Sequence, residues 1–509
     1  MPARLMRTVP GAADHVVVVG AGLSGLSAAL QLAGRGRSVT VVERHPFPGG
    51  RMGQADIAGY RVDTGPTVLT MPDIISDAFA AVGASMSDHL DLVPVEPAYR
   101  ATFADGSSLD VHPDPAAMAA AIEEFAGPEQ AAGYLRLRDW LTRLYRLEFD
   151  GFIAANFASP LSLLTPQLAR LAAIGGFRGW EPMVSRFISD ERVRRIFTFQ
   201  ALYAGVPPQQ ALAAYAVIAY MDTVAGVYFP RGGMRAVPEA MAAAAAASGV
   251  QFRYGSTVTA LERNGSRVTA VRTDNDRIAC DAVILTTELP LTYELLGRTP
   301  RRPIRMRPAP SAVVAHVGVP AVGARLAHHN ISFGGKWAGT FDDIIRDGVL
   351  MSDPSLLVTR PTAGDPSLAP PGRDLLYILA PAPNLQVGVV DWDTVGPSYA
   401  REVVATATDR LIPGVDAEVL DVVTPADWAR QGMAAGTPFA LAHTFSQTGP
   451  FRPANMIWGI DNAVLAGGST VPGVGIPTAL ISGRLAADRV TGTVRDRCAK
   501  RTIVSSESR

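Results

Sequence analysis

The amino-terminal part of the chain joins short apolar runs through a glycine-rich break. Val16–Val19 is an uninterrupted run of β-branched residues, which predicts a strand buried on both faces. Three glycines lie within residues 20–25, and Leu26–Ala33 then carries no helix breaker and predicts a helix. A second β-branched run, Val39–Val42, ends at Glu43. The order predicts a βαβ unit with a carboxylate at the end of its second strand.

The three glycines have separate physical roles in such a unit. Gly20 permits a tight turn, Gly22 lets the backbone approach a pyrophosphate, and Gly25 allows close packing of helix and strand. The helix amino terminus offers free N–H groups and a positive dipole end to phosphates. Glu43 would accept hydrogen bonds from ribose hydroxyls. The pattern predicts dinucleotide binding, and the alternative is an ordinary βαβ unit.

A second glycine-rich region follows directly after Glu43. It contains Gly49-Gly50-Arg51 and then Asp63-Thr64-Gly65-Pro66-Thr67. Nicotinamide enzymes have no need of such a loop here, and a Pro-Gly surface turn is the simpler alternative. The spacing resembles that of the flavin amine oxidase and phytoene desaturase superfamily. The resemblance implies a Gly-Gly-Arg loop along the flavin side of the pyrophosphate, with Arg51 near the phosphate or the flavin.

The carboxyl-terminal part of the chain carries a third glycine-rich loop. Ala463–Ala466 predicts a short buried strand, residues 467–477 are rich in glycine and proline, and 478–490 predicts a helix. This segment resembles the flavin motif of carotenoid desaturases, in which small residues run beneath the flavin ring. The family often has histidine where this chain has Val471. Because valine cannot carry a proton, no protonating role is expected at this position. A plain strand–helix turn is the alternative.

Further stretches extend the resemblance from Val16 to about Val490. They are residues 228–234, 365–372, 377–383 and 447–455. The last of these has Ala454 where the family commonly has histidine. At the position of Val258 the family has a valine whose backbone contacts the adenine.

The resemblance implies an α/β fold. A discontinuous Rossmann-type FAD-binding domain would comprise residues 12–110, 225–300 and 455–492. A helical segment facing substrate or membrane is expected at 111–224, an inserted α+β substrate domain at 301–454, and a disordered tail at 493–509. The predicted cofactor-binding residues are Gly20, Ala21, Gly22, Leu23, Ser24, Gly25, Glu43, Arg44, Gly49, Gly50, Arg51, Gly65, Pro66, Thr67, Val258, Gly467, Gly468, Ser469, Pro472, Gly473, Gly475, Ile476 and Pro477.

Composition limits the ligand classes and the cellular compartment that we expect for this chain. The 509 residues carry a formal net charge of −1, and no basic run or metal-ligand spacing is visible, so neither nucleic acid nor a metal is expected. Charged residues make up 18%, below the usual value of about 25%, which suggests a large core or a surface that meets lipid. Two cysteines suggest no disulfide framework and favour the cytoplasm. Residues 1–14 predict neither a signal peptide nor a membrane span.

The segment 151–188 is apolar and aromatic, with arginines interspersed. Such a pattern is typical of amphipathic helices that dip into one membrane leaflet. The alternative is that these side chains form the core of the substrate domain or a dimer contact. We therefore expect peripheral membrane association, with that alternative open.

No nucleophile–histidine–acid set is recognisable. His328-His329-Asn330 resembles a family stretch, but structural roles are the simpler interpretation of these histidines. Asp150 is a speculative base, and a solvated surface carboxylate is its alternative. The resemblance implies a desaturase that passes a hydride from phytoene or a related long isoprenoid to flavin N5, with quinone or oxygen as electron acceptor. The alternatives are a related carotenoid reaction (on a hydroxylated or C30 precursor, ketolation or isomerisation), an amine oxidase, and a non-catalytic prenyl-lipid carrier.

Overall fold

The computed structural model describes residues 6–157, 159–299 and 305–492. The predicted tail, 493–509, lies outside the described residues. In chain order, the strands are β1 (His15–Val19), β2 (Ser38–Val42), β3 (Gln54–Ile57), β4 (Tyr60–Asp63), β5 (Leu69–Thr70), β6 (Leu92–Pro94), β7 (Tyr99–Thr102), β8 (Ser108–Val111), β9 (Val227–Pro230), β10 (Gln251–Arg253), β11 (Val258–Asn264), β12 (Arg267–Thr273), β13 (Arg277–Ala279), β14 (Ala282–Leu285), β15 (Ser311–Pro320), β16 (His329–Ser332), β17 (Leu356–Thr359), β18 (Arg373–Ala382), β19 (Glu418–Val423) and β20 (Ala463–Leu465).

The α-helices lie between these strands and after the last of them. They are α1 (Leu23–Ala33), α2 (Pro72–Ala80), α3 (Pro115–Ala126), α4 (Pro128–Glu148), α5 (Pro166–Ala173), α6 (Trp180–Val184), α7 (Glu191–Ile196), α8 (Ala201–Ala204), α9 (Val217–Thr223), α10 (Ala236–Ala247), α11 (Leu289–Leu295), α12 (Trp337–Phe341), α13 (Trp392–Leu411), α14 (Pro425–Arg430) and α15 (Ile476–Thr491).

A parallel sheet of five strands, ordered β10-β2-β1-β14-β20, is assembled from both ends of the chain. Alternate residues of β1 serve its two faces, because successive strand side chains point in opposite directions. Val16 and Val18 join the core formed with α1, α10 and α15. Val17 and Val19 pack on the other face against the β11–β13 meander. Burial on both faces explains the uninterrupted valine run, and the predicted α/β fold is confirmed.

A second sheet of seven strands has the order β19-β15-β18-β17-β16-β7-β8. Its pairs are antiparallel except for β16 with β7. One face packs on α13, through residues such as Val313, Ala315 and Ile378. The strands β7 and β8 belong to this sheet although they end at or before residue 111, where we expected the inserted segments to begin. The domain boundaries stay a prediction.

Helices α3–α9 form the segment between the two parts of the parallel sheet. In the structure, part of its apolar stretch 151–188 is buried and part is exposed. Leu171, Trp180 and Ile188 are buried in the main core, whereas Leu161 and Leu164 are exposed. Within the described ranges, no helix is long and apolar enough to cross a membrane.

The predicted elements near the termini are confirmed within a few residues. The first helix starts at Leu23 rather than Leu26, and α15 runs over Ile476–Thr491 rather than 478–490. Within the stretch 228–234, Tyr228 lies in β9, which pairs with β5 and β6, and the alanine-rich helix α10 begins at Ala236.

Candidate functional site: a three-loop nucleotide cleft beside an apolar cavity

The first glycine turn leads from β1 into α1 with main chain packed directly on main chain. Gly20 has φ +103°, and a Cβ there would lie 2.3 Å from Thr286 Oγ1. A Cβ on Gly25 would lie 1.9 Å from the carbonyl oxygen of Gly20. Gly22 precedes the helix, and no described side chain caps its amino end. The first-turn N–H groups, including those of Leu23 and Ser24, suit an anionic phosphate.

Glu43 is held beside this turn at the end of β2. Its side chain is buried, and its Oε2 accepts a hydrogen bond of 2.8 Å from the backbone N–H of Ala21. Its Oε1 accepts one of 2.9 Å from the N–H of His45. Two backbone donors therefore fix the carboxylate, and each oxygen keeps a second lone pair for a ribose hydroxyl.

The second glycine loop lies on the first. The N–H of Gly49 donates to the carbonyl of Ala21 over 2.9 Å. A Cβ on Gly50 would lie 3.1 Å from Gly22 Cα. The Gly65 loop then packs on the second loop, since a Cβ on Gly65 would lie 1.8 Å from the carbonyl oxygen of Arg51. Pro66 follows at an intermediate exposure, and the buried Thr67 closes this loop.

The third loop comes from the other end of the chain. A Cβ on Gly467 would lie 3.9 Å from Ser24 Oγ and 3.7 Å from the carbonyl oxygen of Thr286. The N–H of Gly467 donates to Ser482 Oγ over 3.0 Å. Since α15 packs closely on α1, with a would-be Gly483 Cβ 2.2 Å from the carbonyl of Ser24, all three loops meet at one edge of the parallel sheet.

The remaining predicted positions differ in how near they lie to this edge. Ser469 follows Gly468 in the third loop, Pro472 and Gly473 continue it, and Gly475 precedes α15, whose first turn contains the buried Ile476 and Pro477. Val258 is half-buried at the start of β11, just after Ser256, whose N–H donates to the carbonyl of Glu43. The exposed Arg44 donates to the carbonyl of Gln431. Asp150 is exposed in a π-helical turn after α4.

Two arrangements at the loops were not foreseen. Arg51 forms an ion pair with Glu288, which follows β14, so its guanidinium has a carboxylate partner within the protein. Arg452 is fully buried and donates to the carbonyls of Thr470 (2.9 Å), Gln447 (3.2 Å), Leu441 (3.2 Å) and Gly468 (2.6 Å). Arg452 thus ties the third loop to residues 441–447. The resemblance of residues 447–455 to the family was the one sequence signal that pointed to Arg452.

His443 makes a second contact between this region and the third loop, by packing on Gly473. A Cβ on Gly473 would lie 2.3 Å from His443 Cε1, so the ring rests directly on the glycine backbone. Tyr215 meets the ring edge-on at 5.7 Å, and its hydroxyl bonds Thr448. Burial, aided by the positive Arg452, holds the pKa of His443 well below its ordinary value. The ring is therefore neutral at neutral pH.

An apolar cavity lies between the seven-stranded sheet and the helical segment. It encloses about 610 Å³ of open space, including its mouth. Its walls combine sheet residues such as Ile331 and Leu357 with Phe199 and Tyr203 from the helical segment. Two of its few polar side chains are already bonded: Ser311 donates to the carbonyl of Gly436, and Ser355 accepts from the N–H of Gly334.

Together, the parallel sheet, the glycine loops and the apolar cavity are those of a dinucleotide-dependent oxidoreductase. The model of the family described as flavin containing amine oxidoreductase matches residues 23–491. The chain belongs to this family, and within it to the phytoene desaturases. FAD, the cofactor predicted from the loops, is the dinucleotide that the family uses.

Two relatives support this assignment, and one solved structure shares the fold. A phytoene dehydrogenase of Streptomyces griseus is 63% identical, with 96% of this chain and 97% of the relative covered. A zeta-carotene-forming phytoene desaturase of Myxococcus xanthus is 36% identical, over 94% and 93%. An oxidoreductase structure from Methanosarcina mazei shares the fold, with a TM-score of 0.60 at 16% identity, over 92% of this chain and 98% of that one.

Replacing Arg452 by methionine should destabilise the protein. The change leaves four carbonyl oxygens without their donor, and each lost bond to a charged group costs about 1 kcal/mol or more. We expect a loss of several kcal/mol in thermal or denaturant unfolding. Arg430→Met, at an exposed arginine, should change stability little. Equal stabilities of the two variants would contradict the tying role of Arg452.

Proposed function

We propose that this protein is an FAD-dependent carotenoid desaturase, which introduces double bonds into phytoene or a related long isoprenoid. The observation that carries the proposal is the apolar cavity on one face of the seven-stranded sheet, the same face on which Thr359 bonds Thr67 of the Gly65 loop. A hydrocarbon offers no hydrogen bonds, so a binding site for it needs apolar walls whose own polar atoms are already bonded. Ser311 and Ser355 meet that condition.

The predicted residues would hold FAD in the following way. The first-turn N–H groups of α1 and the backbone of Gly22 would face the pyrophosphate, and Glu43 would bind the ribose. Gly49, Gly50 and the third loop would leave room for the flavin. When bound, FAD supplies a hydride acceptor, since the redox chemistry is that of the cofactor. The protein's part is to place a C–H bond of the substrate nearby and to exclude water.

No strong acid is required for this chemistry. A conjugated polyene spreads the positive charge that remains after hydride loss, so the substrate itself stabilises its cation. This suits a cavity whose walls are largely hydrocarbon. Quinone or oxygen would then take the electrons from the reduced cofactor.

The first test uses purified protein loaded with FAD and given phytoene in liposomes. We expect visible absorbance to grow and shift to longer wavelength as conjugation lengthens, with FAD-free protein as the control. Separate incubations with oxygen or with a quinone under anaerobic conditions identify the acceptor. Colourless incubations with bound FAD would contradict desaturation of phytoene. Chromatography of the products would reveal a related reaction on the same class of substrate.

The proposed role of Glu43 gives a second test. Glu43→Ala removes an acceptor for the ribose and should weaken FAD binding by about 1–3 kcal/mol, on the scale of a lost buried hydrogen bond. Fluorescence titration of FAD measures the change. Glu418→Ala, at an exposed carboxylate, should leave the affinity as it is. Unchanged affinity in the Glu43 variant would show that this carboxylate does not bind the cofactor.

We also propose that the protein associates peripherally with the membrane at the cytoplasmic face, because its substrate is a membrane hydrocarbon. Leu161, Leu164 and Phe445 are 69%, 76% and 61% exposed. Residues 160–163 contact residues 449–451, and the ring of Phe445 lies 5.5 Å from that of Phe451, so these side chains share one surface. Exposed apolar groups of this size gain free energy by entering lipid.

Replacing all three of these side chains by serine should weaken binding to liposomes at least about tenfold, given the free energy of burying a leucine or phenylalanine. Co-sedimentation measures the bound fraction. Val389→Ser is the matched control, since Val389 is 85% exposed but lies on a different loop. A greater loss in the Val389 variant would place the lipid contact on that loop instead.

A further inference from the structure

Four aromatic side chains form a row along the wall of the apolar cavity. Tyr203, Phe199, Phe333 and Trp337 all line it. The ring centroids lie 5.9 Å apart from Tyr203 to Phe199, 6.4 Å from Phe199 to Phe333 and 5.2 Å from Phe333 to Trp337. Among the described residues, the ring of Tyr203 makes no contact with that of Trp337. These two side chains are therefore the ends of the row.

The Tyr203 end of the row lies towards the third glycine loop. Ala204 follows Tyr203 at the end of α8, and its carbonyl accepts a hydrogen bond of 2.8 Å from the N–H of His443. The ring of His443 rests on Gly473 of that loop. Tyr203 is half-buried, and so is Phe439, which lines the cavity shortly before His443 in the chain. This end of the cavity is therefore the one closer to a flavin held by the loop.

The Trp337 end of the row is closed by packed side chains. Phe199, Phe333 and Trp337 are all buried. Further rings support them from behind, since Phe103 stacks on Phe333 at 5.4 Å and Phe341 meets Trp337 edge-on at 4.9 Å. Close-packed side chains of this kind have little free volume to move into. An apolar chain that enters from the other end therefore meets a rigid wall at Trp337.

A hydrocarbon chain needs such a wall if it is to be held at a defined depth. It carries no polar group that a side chain could recognise, and its repeating units present almost the same surface at every position. Burial of each further methylene group is favourable, so the chain enters until its end meets an obstacle. The depth of the cavity then decides how far the bond beside the cofactor lies from the end of the chain.

We propose that Trp337 is the end stop of the substrate cavity, and that it selects the length of the isoprenoid by fixing the distance from the chain end to the bond presented to the cofactor. The inference rests on the proposed function. The C–H bonds of phytoene that neighbouring double bonds weaken lie beside the centre of the molecule. In its C30 analogue the corresponding bonds lie closer to the chain end. A deeper cavity therefore favours phytoene, and a shallower cavity favours the shorter analogue.

The test supplies the FAD-loaded enzyme with phytoene and its C30 analogue together in liposomes. Chromatography of the products gives the ratio of kcat/KM for the longer substrate to that for the shorter one. Trp337→Leu and Trp337→Ala deepen the cavity, and we expect the ratio to rise by about tenfold or more, the discrimination of a single methylene group in an apolar pocket. Leu357 also lines the cavity. Leu357→Phe makes the cavity shallower and should lower the ratio.

Trp392→Ala is the matched control. Trp392 is as buried as Trp337, but it packs on the opposite face of the sheet, in the core formed with α13. The substitution removes the same volume from the protein without touching the cavity. It should lower stability and leave the substrate ratio at the wild-type value. An equal rise of the ratio in this variant would overturn the proposal, because general loosening of the fold would then explain the effect.

A second readout is the binding of indole, which has the shape of the missing side chain. Engineered apolar cavities bind aromatic molecules of matching size. Calorimetry should show that indole binds to Trp337→Ala and not to the wild type. Bound indole should also return the substrate ratio of Trp337→Ala towards the wild-type value, and it should not change the ratio of Trp392→Ala. Indole that binds to Trp337→Ala without changing its ratio would contradict the role of Trp337 as an end stop.

The outcomes separate the two proposals. Wild-type enzyme that holds FAD but forms no product would mean that the proposed function is wrong. Product formation by the wild type, with unchanged ratios in Trp337→Leu and Trp337→Ala, would overturn the end stop alone. The unfolding temperature and the bound FAD of each variant show which variants fold. If neither Trp337 variant folds, the ratio in Leu357→Phe decides the question, because Trp337 is intact there.

Discussion

The cofactor cleft depends on main chain packing directly against main chain. Gly25 meets the carbonyl of Gly20 and Gly65 meets the carbonyl of Arg51 at separations that leave no room for a Cβ, and a Cβ on Gly50 would crowd Gly22 Cα at 3.1 Å. The turn at residues 20–25 and the loops at 49–65 can therefore lie together at one edge of the parallel sheet. The third loop joins them there, with Gly467 beside Ser24 and Gly483 against the carbonyl of Ser24. Their unbonded backbone groups then stand close enough together to serve one dinucleotide. A side chain at Gly25 or Gly65 would force the facing main chains apart, whatever its chemistry.

In the second sheet, the simple alternation of strand residues separates a face that packs on a helix from a face that lines the cavity. One face packs on α13 and is closed. The other carries an apolar row at the cavity and a polar row beside it, at His329 and Thr359. A shift of one residue in β16 would exchange the faces and place Asn330 where His329 now lies. Register thus decides both the lining of the cavity and the position of the buried polar row beside it.

The local parts of this architecture could be predicted from the sequence. The valine runs, the glycine spacing and Glu43 act within about thirty residues, where strand, turn and helix preferences determine the structure, and the loops predicted from them do meet. Pairing between distant segments was out of reach. Arg51 with Glu288 joins residues 237 apart, and Thr67 with Thr359 joins residues 292 apart. The placement of β7 and β8 in the second sheet has the same cause, since strand partners depend on the whole fold.

Arg452 and His329 show two opposite uses of a buried polar side chain. Arg452 donates hydrogen bonds to four carbonyl oxygens and so fixes the third loop. The dipoles of these carbonyls offset its charge. Among the residues that the structure describes, His329 Nε2 has no hydrogen-bond partner, which costs stability in a folded protein. The two side chains thus show that a buried polar group stabilises the fold when its donors and acceptors have partners, and costs stability when one of them has none.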